Sequence, residues 1–238
     1  MAGKKFAEQV LHFNKMLSCE VFNLPDGFKV INPYGGDQRV LVKKITTSFY
    51  HKYYGDTHIR RIILGSSPAR RGSAITGVPF ESAKYLQKET GVSIDKFYIN
   101  PSASDFLNDV IEKYGGRKKF YTDFYMNYVC PVGLVRINKK GNEVNCNYYE
   151  NKELQEAMYS FIIRAIQSQI NFGIDTSVCY CIGSGENYSF LSKINRNYNF
   201  FDTIIPLEHP RYIMQYNSKL KDVFMEKYIN SLYGYTIK

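Results

Sequence analysis

Four short, nearly continuous apolar runs, at 59–65, 124–128, 178–183 and 203–207, most constrain how this chain can fold. Residues that are apolar at successive positions, without alternation, suit a strand covered on both faces. Each run gives way to Gly, Pro or polar residues. Helical patterns lie between the runs. In 151–171, Leu154, Met158, Phe161, Ile162, Ala165, Ile166 and Ile170 keep the three-and-four spacing of one buried face. The 102–114 segment also reads as a helix, as do the N-terminus and 36–54. A C-terminal helix would place Leu220, Val223, Phe224 and Tyr228 on one stripe. Strands separated by helices imply right-handed crossovers. The expected fold is therefore α/β: a three-layer α/β/α sandwich around a short, mainly parallel four-stranded sheet. No repeat, low-complexity tract or Pro/Ser-rich linker interrupts the 238 residues, so 1–238 reads as one domain.

Charge narrows the partners. Lys plus Arg number 31 against 22 Asp plus Glu, a formal charge of +9. Such an excess favours polyanions, since each phosphate neutralised releases counterions. The five cysteines, at 19, 130, 146, 179 and 181, form no CxxC pair and read as reduced. Cys179 and Cys181 have the spacing of same-face strand residues. Neither a metal site nor a cofactor is expected. No segment approaches the roughly 20 apolar residues that span a bilayer, and the N-terminus lacks a long apolar leader. The reading is a cytoplasmic protein without a membrane partner, acting as a monomer. A G-x-S-x-G elbow, a Walker sequence and a dinucleotide fingerprint are absent from the sequence, which disfavours a small-molecule hydrolase of another class.

In layered α/β folds, ligands bind outside the carboxyl ends of the strands. Those ends read GSSPARRGSAITGVPF (65–80), MNYVCP (126–131), GSGENYSFL (183–191) and LEHPRYIMQY (207–216). All four are rich in polar residues, Gly or Pro, so one site can draw on all of them.

These tails resemble the uracil-DNA glycosylase superfamily, in particular a bacterial branch similar to the single-strand-selective monofunctional enzymes. Gly65-Ser66-Ser67-Pro68-Ala69 corresponds to its G-x-N-P-G motif, and Thr76-Gly77-Val78-Pro79-Phe80 to its T-G-x-P-F run. Asn127-Tyr128 matches its Asn-Tyr element, and His209-Pro210 begins its second motif. The resemblance implies a DNA repair glycosylase that hydrolyses the N-glycosidic bond of uracil, or a related deaminated base, flipped from single- or double-stranded DNA. It implies that Phe80 stacks on the base and that the Asn127 amide reads the uracil N3–H and O4. Gly65, Pro68 and Ala69 would line the base pocket, and His209 would hydrogen-bond the uracil O2 as charge develops there. Arg70, Arg71, Pro210 and Arg211 would face DNA. Without the motifs, Phe80 reads as a core residue, Asn127 as a turn former and His209 as a surface or capping imidazole. No lysine falls in the motifs, which argues against β-elimination.

One position departs from the pattern. Ser67 stands where the family usually carries Asn, Asp or Glu to orient or activate water. A hydroxyl can position water but is no useful base near neutral pH, and general-base help is typically worth about 10²–10⁴-fold. Asn187 or Glu186, in the third tail, could instead supply the water contact. The alternative is a catalytically weakened relative that binds damaged DNA or other nucleic acid and keeps the pocket.

Overall fold

The computed structural model describes residues 3–94 and 102–234. In chain order, the elements are α1 (Phe6–Leu17), β1 (Phe28–Ile31), α2 (Arg39–Tyr54), β2 (Arg60–Gly65), α3 (Ser73–Thr76), α4 (Ala83–Thr90), α5 (Ser102–Lys113) and α6 (Gly116–Asp123). They continue with β3 (Phe124–Tyr128), β4 (Gly133–Ile137), β5 (Glu143–Cys146), α7 (Lys152–Ile170), β6 (Ile174–Ile182), α8 (Glu186–Tyr198), β7 (Thr203–Leu207), α9 (Pro210–Tyr216) and α10 (Lys221–Tyr233).

The four expected strands form one sheet in the order β3-β2-β6-β7, and every neighbouring pair is parallel. Helices flank this sheet. Leu64 pairs with Asn127 and Gly65 with Tyr128, so the first two motif elements leave the sheet side by side. Continuous burial along β2 and β3 is what the unbroken apolar runs require. The third strand starts at Ile174, ahead of the expected 178, because Asp175, Thr176 and Ser177 extend it beyond its apolar half. The first strand starts at Arg60, leaving Ile59 exposed.

β2 opens on two buried arginines. The Arg60 guanidinium lies over the Phe6 and Tyr54 rings and donates to the Tyr121 carbonyl. Arg61 lies over Phe124 and donates to the Leu232 carbonyl, tying α10 to the sheet. Two cations of the basic excess thus serve the interior, not a surface groove.

A second sheet, β1-β4-β5, is antiparallel and was not expected from the sequence. Its strands are four or five residues long and partly exposed, so they carry little hydrophobic signal. Gly133 begins β4 under close quarters: a Cβ there would meet Ala74 Cβ and the Pro68 carbonyl at 3.1 Å. This contact packs the small sheet beneath the first-motif loop.

In α7, Leu154, Met158, Phe161, Ile162, Ala165 and Ile166 are buried as expected, whereas Gln169 takes the last fully buried position and Ile170 is half-buried. The C-terminal stripe needs correction. Leu220 precedes α10, and it and Val223 are exposed, while Tyr228 and Leu232 are the buried pair. The helix is rotated so that this i,i+4 pair faces inward and Phe224 packs at the margin. All five cysteines are free. Among the described residues, no helix is long and apolar enough to cross a membrane, and no cluster of His, Cys, Asp or Glu is placed to hold a metal.

Candidate active site

The chain leaves β2 at Gly65 and returns through 77–80 to place the Phe80 ring across that glycine. A Cβ at Gly65 would lie 2.4 Å from Phe80 Cζ and 3.0 Å from Tyr128 Cδ1. Only glycine allows this approach. Phe80 leans on Tyr128, with ring centroids 5.0 Å apart and planes tilted by 33°. Tyr128's hydroxyl bonds the Ser73 hydroxyl at 2.5 Å and also meets the Phe80 backbone N–H. Burial pushes the Tyr128 phenol well above its ordinary range, so it stays protonated.

Phe80 has φ of +61°, a left-handed conformation that costs a bulky L-residue about 1–3 kcal/mol. The next residue explains how that is sustained. Glu81 is buried and paired twice with Arg117, at 3.2 Å for each bond, and it accepts from Tyr121 at 2.5 Å. Arg117 also bonds Asn108 and Glu112 and lies 3.3 Å over the Tyr85 ring. Burial pushes the Glu81 carboxyl up, against the opposing pull of Arg117 and Tyr121. Three hydrogen bonds from two partners fix the residue that follows the strained phenylalanine.

Asn127 is buried at the end of β3. Its Nδ2 donates to the Tyr125 hydroxyl at 2.6 Å, and its Oδ1 accepts the Tyr128 N–H at 2.9 Å. An amide has two N–H donors and two acceptor lone pairs. One of each is left after these bonds, and the bonds themselves fix which way the amide faces.

His209 caps α9. Its Nδ1 accepts the Arg211 N–H at 3.0 Å, and Pro210 sits buried at the first helical position, where its missing donor costs nothing. Burial, reinforced by the Arg211 charge, lowers the imidazole's pKa to about 4. At neutral pH the ring is therefore uncharged. With Nδ1 engaged as acceptor, its single proton is on Nε2. Arg211 is exposed, with Nε bonded to Gln215. No hydrogen bond joins His209 to Ser67, Phe80 or Asn127 among the described residues. Its strand, β7, stands two strands from β2, about 10 Å at ~4.8 Å per strand.

The first-motif loop is held from an unexpected direction. Ser66 and Ser67 both donate to Asn147 Oδ1, at 3.0 and 2.9 Å, and the Arg70 N–H donates to Asn145 Oδ1 at 2.9 Å. Asn145 and Asn147 stand at the end of β5, two apart, the spacing that sends side chains to one face. Pro68 is buried, whereas Ala69 is exposed and outside the left-handed region, so its Cβ meets no crowding from the protein. Arg70 is partly exposed and Arg71 exposed on the same loop.

Asn187, offered with Glu186 as an alternative water contact, has its amide engaged within the fold. Its Nδ2 donates to the Ile182 carbonyl and Cys181, and its Oδ1 accepts from Tyr148 at 2.6 Å. These bonds engage the amide in fixing the turn from β6 into α8. Glu186 is exposed at the start of that helix. Two open hollows of about 420 and 430 Å³ run along α1, lined in part by His12 and Met16, and hold no motif residue.

A parallel sheet with this set of side chains at its carboxyl edge defines a protein class. The Uracil DNA glycosylase superfamily matches residues 51–233, and the chain belongs to that superfamily. The chain is similar to wild-type SMUG2 from Pedobacter heparinus, whose crystal structure it matches at 40% identity over 98% of both chains, with a TM-score of 0.91. Comparison with curated proteins gives no match.

Proposed function

We propose that the chain excises uracil, or a closely related deaminated base, from DNA. The observation that carries this reading is the state of His209: neutral, with Nδ1 capping a helix and Nε2–H free to donate. As the glycosidic bond breaks, its electron pair passes to the base and charge gathers on O2. A positioned neutral donor stabilises that charge without first needing a proton from solvent. The sugar becomes oxocarbenium-like, and water forms the new bond to C1′ and releases a proton. Phe80 offers its face to the flipped base, and Asn127 offers one donor and one acceptor, matching uracil O4 and N3–H but not the cytosine edge. Gly65, Pro68 and Ala69 shape the pocket floor. Arg70, Arg71 and Arg211 contact phosphates or the vacated stack, with Pro210 setting the start of α9 beneath them.

Ser67 favours a second reading, in which the chain binds damaged DNA with little turnover, because no carboxylate occupies the motif's water position. One assay separates the two. The protein is incubated with single- and double-stranded oligonucleotides containing one uracil, followed by alkaline cleavage of abasic sites. The proposal expects cleavage at uracil and none at thymine or cytosine. Binding without any abasic product would establish the second reading instead.

A further inference from the structure

We infer that Asn147 is a positioning residue that makes Ser67 a fixed acceptor for the attacking water, an inference that rests on the proposed glycosylase chemistry. Asn147 lies 80 residues from Ser67, outside the matched motifs, and its Oδ1 accepts both Ser66 and Ser67 hydroxyl protons. Its Nδ2 and its backbone N–H both donate to Glu150 Oε1, at 3.1 and 2.8 Å. Because a carboxylate only accepts, Glu150 fixes the amide with oxygen toward the serines.

The consequence falls on Ser67. A serine hydroxyl has one proton and two lone pairs. The proton is engaged by Asn147, so Ser67 Oγ can serve a further partner only as an acceptor. Ser66 differs: its hydroxyl also donates to Asn147, but the residue is buried, whereas Ser67 is half-buried. Ser67 Oγ has no second partner among the described residues. A water that donates one hydrogen to Ser67 Oγ keeps an oxygen lone pair for C1′. The chain Glu150–Asn147–Ser67 also polarises Oγ, since linked hydrogen bonds reinforce one another. The water's proton leaves to solvent after attack, and Ser67 keeps its own. The motif's missing amide is thereby replaced by a serine steered by an amide from the second sheet.

Asn147→Ala and Asn147→Asp test this. Single-turnover excision of uracil from a single strand is measured from pH 5 to 9, beside affinity for an uncleavable 2′-fluorinated analogue and the melting temperature. Asn147→Ala should slow the chemical step roughly 10- to 100-fold with analogue affinity unchanged. Asn147→Asp keeps an acceptor for both serines and should recover most of the rate. That rate should fall as pH rises, because the neutral acid can donate to Glu150 as the amide does and the ionised one cannot, at a pKa raised by the neighbouring Glu150. A structural role alone would give no such pH dependence. Wild-type rates in Asn147→Ala, or an Asn147→Asp rate as low as that of Asn147→Ala and flat with pH, would overturn the inference. If the wild-type protein itself releases no uracil, the glycosylase reading fails. The inference is then decided by crystal structures with abasic DNA. A water on Ser67 Oγ in the wild type that is lost in Asn147→Ala supports it, and the same water in both overturns it.

Discussion

The two walls of the site are held by different physics. On the β3 side, Phe80 is strained, wedged over Gly65 and anchored through Glu81 to a buried ion pair with Arg117. On the β7 side, His209 is held by a helix cap whose neighbours Arg211 and Tyr212 are exposed. The Phe80 ring is thus half-buried against the core, and its position is coupled to the stability of the whole fold. His209 itself is held by one local hydrogen bond at the start of a short helix, and the preceding Glu208 is tied to α10 through Tyr228 and Lys227.

Arg117→Met should have the largest effect, because it leaves Glu81 buried without its charge partner. Removing one member of a buried pair typically costs about 3–5 kcal/mol, which thermal or urea unfolding would register as a large loss of stability. Excision should fall with it, since Phe80 loses its anchor. A stable Arg117→Met protein with normal excision would show that the two walls are not held differently.

Gly65→Ala separates stacking from stability on the same wall. The added methyl would sit 2.4 Å from the Phe80 ring, so the ring must shift. Excision should drop by roughly 10- to 100-fold, the scale of a misplaced reactive group, with a far smaller loss of stability than in Arg117→Met. Unchanged single-turnover rates would mean that the base does not use Phe80 in its present position.

The smallest effect concerns pH. His209 has its folded pKa lowered to about 4 from an ordinary value near 6.5. Between those values the unfolded chain binds the proton and the folded chain does not. Its stabilising contribution is therefore complete above 6.5 and is lost as pH falls toward 4. The neutral donor persists over the same range, so the excision rate should show no inflection near 6.5. An inflection there that disappears in His209→Gln would place the imidazole in an ordinary solvated setting.

Much of this was legible in the sequence, for identifiable reasons. The four parallel strands announce themselves because burial on both faces demands unbroken apolar runs, and the motif residues sit where those runs stop. The second sheet was hidden because its strands are short and half-exposed, so neither alternation nor continuity marks them. The strain at Phe80 was also hidden, since nothing local to a T-G-V-P-F run dictates a positive φ at its last residue. Asn145 and Asn147 look like turn formers in NCNYYE, and their meaning lies in packing against a loop some 80 residues earlier. Asn187 misled in the opposite sense: a polar residue at a strand end proved to be engaged in holding the turn.

The most direct test of the account is uracil release by the wild-type protein beside His209→Ala, under single-turnover conditions at neutral pH. The account predicts abasic product from the wild type and a rate about 10²–10³-fold lower in the variant, the usual cost of losing one oxyanion donor. Stability should change by only about 1 kcal/mol, the worth of a helix cap. No product from the wild type, or equal rates from the two proteins, would contradict it.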